Sequence, residues 1–98
     1  MEMIFANVGL ALVFLSKENS PLQVALGKLL AEHALPDAEV KITDVAGEIT
    51  GMTFDSGENL SEVISVGDDW VISIHSGEEN SAWANVFPSC ASHWLWSH

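Results

Sequence analysis

The chain has 98 residues and is strongly acidic, with 14 Asp and Glu against three lysines and a formal net charge of −11. Three cations cannot neutralise a run of phosphates, which argues against direct binding of nucleic acid. The length predicts a single domain over residues 1–98, and a hydrophobic content of 48% predicts a folded core rather than disorder. The lone Cys90 can form no disulfide within the chain, so we expect a reducing compartment, the cytoplasm of a host bacterial cell.

The N-terminal apolar run, residues 3–15, is too short to span a bilayer, because a crossing takes about 20 apolar residues. It also lacks the basic region of a secretory signal, since Glu2 is the only charged side chain ahead of it. We therefore expect no membrane partner. The run is interpreted as two short strands, or one long bent strand, with a bulge or turn at Gly9.

A main helix is predicted to begin at Ser20-Pro21, an N-cap followed by proline at the first helical position. Apolar residues then recur at helical spacing and form one continuous stripe, and Pro36 ends the helix. The stripe consists of Leu22, Ala25, Leu26, Leu29, Leu30 and His33.

The apolar period changes from helical spacing to two after Pro36. Residues 38–54 alternate as a β-hairpin with its turn at Ala46-Gly47. Residues 70–75 alternate as the clearest single strand in the chain. Both segments indicate a sheet with one buried face.

Three further segments are less regular. Asn59 and Glu62 have the spacing of a capping box, which predicts a short helix to about Val66. Residues 81–87 fit either a short helix or a strand, and residues 91–98 are interpreted as a terminal strand.

Together these elements predict an α+β fold, with one main helix packed on a mostly antiparallel sheet of four to six strands. Hairpins need no crossover, so an antiparallel sheet suits elements this short. The N-terminal strand could still join the sheet in parallel, through the main helix, as a βαβ unit.

Acidic residues are unevenly distributed along the chain. Up to Lys41 five acids accompany all three lysines, whereas residues 42–98 contain nine acids and no base. A surface that serves solubility alone usually mixes both signs. We interpret the acids as a negative surface that meets a positive partner, the alternative being a merely solvated face. The nine are Asp44, Glu48, Asp55, Glu58, Glu62, Asp68, Asp69, Glu78 and Glu79.

The chain contains four tryptophans and no tyrosine. Such residues are either core side chains or anchors of an interface. Trp83, Trp94 and Trp96 are our candidates for partner binding. A terminal strand bearing Trp94 and Trp96 could also pair with its copy in a homodimer.

Cys90 and His93 are the strongest hint of metal or thiol chemistry. One Cys and one His in CxxH spacing form a weak zinc signal, and no orienting third group accompanies them as a nucleophile pair. The sequence also lacks a glycine-rich phosphate loop, a GxSxG motif and an EF-hand. We expect no catalytic residue, metal or cofactor, the alternative being a small metal- or thiol-dependent enzyme.

In length, net charge and the base-free acidic run from Asp44 to Glu79, the chain resembles the small acidic inhibitors of phages and mobile elements. These include anti-CRISPR proteins and other DNA mimics. The resemblance implies stoichiometric binding that blocks the basic DNA-contacting surface of a CRISPR effector. The same features are similar to those of immunity proteins that neutralise nuclease toxins, which is the alternative function. No diagnostic motif carries a family site onto this chain.

Overall fold

The computed structural model describes residues 1–89 as an α+β fold, in which two helices pack on one face of a six-stranded antiparallel sheet. The elements in chain order are β1 (Glu2–Phe5), α1 (Val8–Leu15), α2 (Pro21–His33), β2 (Val40–Val45), β3 (Glu48–Asp55), β4 (Ser61–Val66), β5 (Trp70–Ser76) and β6 (Ser81–Pro88). The sheet order is β1-β2-β3-β6-β5-β4, so β6 lies between β3 and β5. The predicted α+β class is confirmed: six antiparallel strands lie within the predicted four to six, and two helices are present where one main helix was predicted.

The core lies between the helices and one face of the sheet. Strand residues alternate between the two faces, so Met52 and Phe54 of β3 are buried under the helices while Thr53 lies on the other face. Ile72 and Ile74 of β5 continue the same buried layer. The opposite side of the sheet, which we call the open face, is left without a covering layer by residues 1–89.

α2 is the predicted main helix. The Ser20 side chain accepts a hydrogen bond of 3.2 Å from the Gln23 amide and caps it, and Pro21 is its first residue. The helix ends at His33, ahead of Pro36. Its apolar stripe faces the sheet as predicted. The buried members are Leu22, Leu26, Leu29 and Leu30.

α1 is a second helix, and the strand interpretation of the N-terminal run is wrong beyond Phe5. The Asn7 side chain accepts a hydrogen bond of 3.0 Å from the Leu10 amide and so caps α1. Val8–Leu15 is apolar at every position, so it shows no helical period, and its Leu and Ala residues favour a helix.

The direction of β1 also differs from the βαβ alternative. β1 pairs antiparallel with β2, with Met3 opposite Ile42. A single helix between two strands would carry the chain back to the end of the sheet where β1 begins, and the next strand would then run parallel to β1. Two helices traverse the sheet an even number of times, so β2 begins at the end where β1 finishes and runs antiparallel to it.

Residues 61–66 form a strand, so the predicted short helix is wrong. Val63, Ile64 and Val66 are β-branched and suit the extended conformation. β4 pairs with β5 through a three-residue turn that begins at Gly67, whose φ of 58° suits glycine. The local capping pattern was therefore outweighed by pairing between strands.

Residues 81–87, which fitted either a helix or a strand, belong to β6. The predicted terminal strand, residues 91–98, lies outside the described residues, as do Cys90, His93, Trp94 and Trp96. Within residues 1–89, neither helix has the length and apolar character needed to cross a membrane.

Candidate functional site

The antiparallel sheet brings the nine acids to its two opposite ends. The hairpin end holds the β2–β3 and β4–β5 turns, and the loop end holds the ends of β3 and β5 and the starts of β4 and β6. β5 has seven residues, which at strand rise separates the two ends by about 23 Å. The acids thus form two groups rather than one. Asp44, Glu48, Asp68 and Asp69 lie at the hairpin end, and Asp55, Glu58, Glu62, Glu78 and Glu79 lie at the loop end.

A connection with bends at Gly57 and Glu58, residues 56–60, crosses the loop end from β3 to the far edge strand β4. It spans three strand spacings, about 14 Å. The Ser56 amide donates a hydrogen bond of 2.7 Å to the Asn80 carbonyl. The Ser76 hydroxyl accepts one of 2.6 Å from the Leu60 amide. These two hydrogen bonds hold the connection against β6 and β5.

The β5–β6 turn carries Glu78 and Glu79 in a fixed conformation. The Gly77 amide donates a hydrogen bond of 2.7 Å to the Ser81 carbonyl across the turn. Glu79 and Asn80 have φ of 55° and 67°, in the left-handed region that non-glycine residues rarely adopt. The two carboxylates are thus presented by a turn whose backbone is tied at both ends.

Two further acids lie beside this turn on the open face. Asp55 is opposite Ser81 in the β3–β6 pair. Glu39 precedes β2 by one residue, and it lines one shallow groove with Asp55. Glu39 precedes Lys41 and so lies outside the base-free run of residues 42–98; the β2–β3 register places it beside Asp55. We call Glu39, Asp55, Glu78 and Glu79 the loop-end acidic surface.

Within residues 1–89, no cationic side chain lies within salt-bridge distance of the loop-end acidic surface. Lys41 lines the groove of Glu39 and Asp55, but its ammonium group lies 3.2 Å from a carboxylate oxygen of Glu2. The like charges of this surface are therefore only partly compensated, by Lys41 beside Glu39 and Asp55.

Glu58 and Glu62 lie at the loop end but outside this surface. Glu58 Oε2 is 2.9 Å from Nδ1 of His33, the last residue of α2, so it joins the helix to the connection below it. Glu62 alternates with Val63 and so lies on the helix side of edge strand β4. Their roles in partner binding stay predictions.

Trp83 stands on the open face beside the loop-end acidic surface. Its side chain is 46% exposed, and it lies opposite Thr53 on β3 and His75 on β5. The indole rests against the backbone of Gly77, since a Cβ added there would lie 2.9 Å from Trp83 Nε1. An exposed aromatic ring held in one orientation suits an interface anchor, whereas Trp70 is half-buried against the core.

Replacing Gly77 with alanine tests this packing. The new Cβ would meet both Trp83 Nε1 and Ser81 Oγ at 2.9 Å, so the indole must move. We expect Gly77→Ala to shift the Trp83 indole resonance in a ¹H–¹⁵N spectrum and to lower the free energy of unfolding by about 1 kcal/mol. Gly57→Ala is the control, because its Cβ meets only Leu35 at 3.6 Å. An unmoved Trp83 resonance in Gly77→Ala contradicts the packing.

The hairpin end is organised differently. Glu18, Glu48 and Asp69 line a cavity of about 200 Å³ beside the start of α2, with Trp70 in its wall. Lys17 lines a neighbouring groove together with Asp44. Lys17 thus lies among acids at the hairpin end, as Lys41 lies beside Glu39 and Asp55 at the loop end.

Residues 1–89 contain no group of three or more His, Cys, Asp and Glu side chains that could hold a metal ion. Comparison with models of protein families, with curated proteins and with solved structures finds no match to the chain. Inference about the function of the chain therefore starts from the geometry of the described residues.

Proposed function

We propose that the protein is a non-enzymatic inhibitor whose loop-end acidic surface binds the basic nucleic-acid-binding surface of a partner protein. The observation that carries the proposal is a set of four carboxylates that no cation of residues 1–89 pairs with. Unpaired like charges reduce the stability of the free protein. A cationic partner neutralises these charges and removes the repulsion. The surface that lowers the stability of the free protein therefore makes binding more favourable.

The arrangement of these carboxylates supports a phosphate-like role. Directly opposed residues in antiparallel strands have Cα atoms about 5 Å apart. Glu39, Asp55 and the β5–β6 turn follow one another across β2, β3 and β6, which gives a row of negative charges. Each DNA strand likewise carries a row of negative charges, one phosphate per nucleotide. A groove lined with Arg and Lys for such a backbone can also receive this row.

Trp83 adds a contact that charge alone does not supply. An exposed indole beside carboxylates can stack on an arginine guanidinium, a cation–π interaction of about 0.5–2 kcal/mol. The resemblance to anti-CRISPR proteins implies a CRISPR effector complex as the partner. A nuclease toxin is the alternative partner, since it also presents a basic surface to nucleic acid.

Competition with DNA tests the proposal. Fluorescently labelled target DNA is bound to a purified CRISPR effector complex, and in a parallel series to nuclease toxins, and the protein is titrated in while anisotropy is recorded. We expect release of DNA at one protein per partner, with an apparent affinity that falls steeply between about 50 and 200 mM NaCl. Removing the protein by gel filtration in high salt should restore DNA binding.

Three other outcomes of this experiment would contradict the proposal or assign a different function. A ternary complex that retains its DNA would contradict competition for the basic surface. Inactivation at substoichiometric amounts, persisting after the protein is removed, would indicate an enzyme. Release from a toxin, with no effect on effector complexes, would assign the immunity function.

A further inference from the structure

α1 has an apolar surface on the side turned away from the sheet. Val8, Ala11 and Leu15 are buried toward the core, and the opposite side exposes Leu10 by 51% and Val13 by 60%. A surface helix normally carries polar residues there, and a helix that is apolar all round is normally buried on all sides. Within residues 1–89, nothing covers the second side of α1.

α2 continues this apolar surface. Its solvent side carries Val24, which is 44% exposed, and Ala31. Between the helices runs a groove of about 420 Å³ in which Gly27 leaves room, since a Cβ added there would meet only Leu12, at 3.8 Å. We call Leu10, Leu12, Val13, Val24, Gly27 and Ala31 the helical-layer surface.

The groove has opposite charges toward its two ends. Glu18 lies before the first turn of α2 and Lys28 lies two turns into it, and both line the groove. Among the described residues, no carboxylate lies within salt-bridge distance of the Lys28 ammonium group. A two-fold axis through the groove would place Lys28 of each copy near Glu18 of the other. The charge pattern is therefore self-complementary, as an isologous interface requires.

The size and charge of the helical-layer surface also suit a second copy. α2 has 13 residues and is about 20 Å long, and two helices side by side are about 20 Å wide. Two such footprints bury about 800–1,000 Å², which is the size of a weak and reversible association. Asp44 lines a groove with Phe14 of α1, but none of the nine acids of residues 42–98 lines the groove between α1 and α2, where Glu18 is the carboxylate and Lys28 the ammonium group.

We propose that two copies of the chain associate through the helical-layer surface about a two-fold axis. The groove between α1 and α2 receives Val13 of the partner copy, and Lys28 pairs with Glu18 across the interface. This dimer leaves the loop-end acidic surfaces of both copies free, and it does not depend on the function proposed above.

Sedimentation equilibrium of the full chain tests the dimer without any partner protein. We expect twice the chain mass of 10.6 kDa at about 100 μM, with dissociation in the micromolar range. Val13→Glu should raise the dimer Kd at least about tenfold by placing a charge in the interface. Val63→Glu is the matched control, because Val63 is 70% exposed on the open face and should leave the Kd unchanged.

Charge exchange tests the two-fold geometry. Lys28→Glu and Glu18→Lys should each raise the dimer Kd about threefold to tenfold, and the double variant should return it to near the original value. A monomer at about 500 μM, equal weakening by Val13→Glu and Val63→Glu, or failure of the double variant to recover overturns the proposal. So does a monomer that binds phosphatidylcholine vesicles through α1, because lipid would then be the occupant.

Discussion

Replacing Phe54 with alanine is expected to remove a large share of the stability of the fold. Phe54 is 1% exposed and lies in β3, which pairs with β2 on one side and β6 on the other. Truncating a buried phenylalanine costs about 3–5 kcal/mol through lost transfer energy and the cavity left behind. Domains of this size are stable by about 5–15 kcal/mol, so this loss takes a large share of the total.

Urea unfolding followed by circular dichroism measures this effect, and a thermal scan should show a fall in Tm of at least about 12 °C. Phe87→Ala is the matched control, because Phe87 is 47% exposed on the open face and should lose less than about 1 kcal/mol. Equal losses in the two variants would contradict the placement of the core. Asp55 follows Phe54 directly and is exposed on the open face.

Elements whose signals are local could be predicted from the sequence. Ser20-Pro21 marks the start of α2, and the alternation of residues 70–75 marks β5. α1 was missed because Val8–Leu15 contains no polar residue and thus shows no helical period, although Asn7 is a local N-cap signal. β4 was mistaken for a helix because Asn59 and Glu62 imitate a capping box, while pairing with β5 is a contact that spacing does not reveal.

The grouping of the acids depends on sheet order, which no local pattern contains. β6 lies between β3 and β5, and this brings the β5–β6 turn beside Asp55, more than 20 residues earlier in the chain. Glu39 joins the same surface through the β2–β3 register. The excess of acidic residues could therefore be predicted from the sequence. Which of these residues lie together depends on the order of the strands in the sheet. Glu48 and Asp69 belong to the other end for the same reason.

The second large effect is expected from reversing charge at the loop end. A triple variant with Asp55→Lys, Glu78→Lys and Glu79→Lys should lower the association rate with the basic partner at least about tenfold. All three residues are exposed, so the fold should be retained, with a circular dichroism spectrum like that of the original protein. Stopped-flow measurement at low salt gives the rate. The dissociation rate should change less, because steering by charge acts mainly on encounter.

The matched control reverses three exposed acids at the hairpin end, Glu48→Lys, Asp68→Lys and Asp69→Lys. Both triple variants have the same net charge and differ only in where the charge lies. If the loop-end acidic surface meets the partner, the control should keep the association rate within about threefold, since its charges are about 23 Å away and screened beyond about 10 Å. Equal slowing of the two variants would mean that net charge alone attracts the partner, and the loop end would then have no special role.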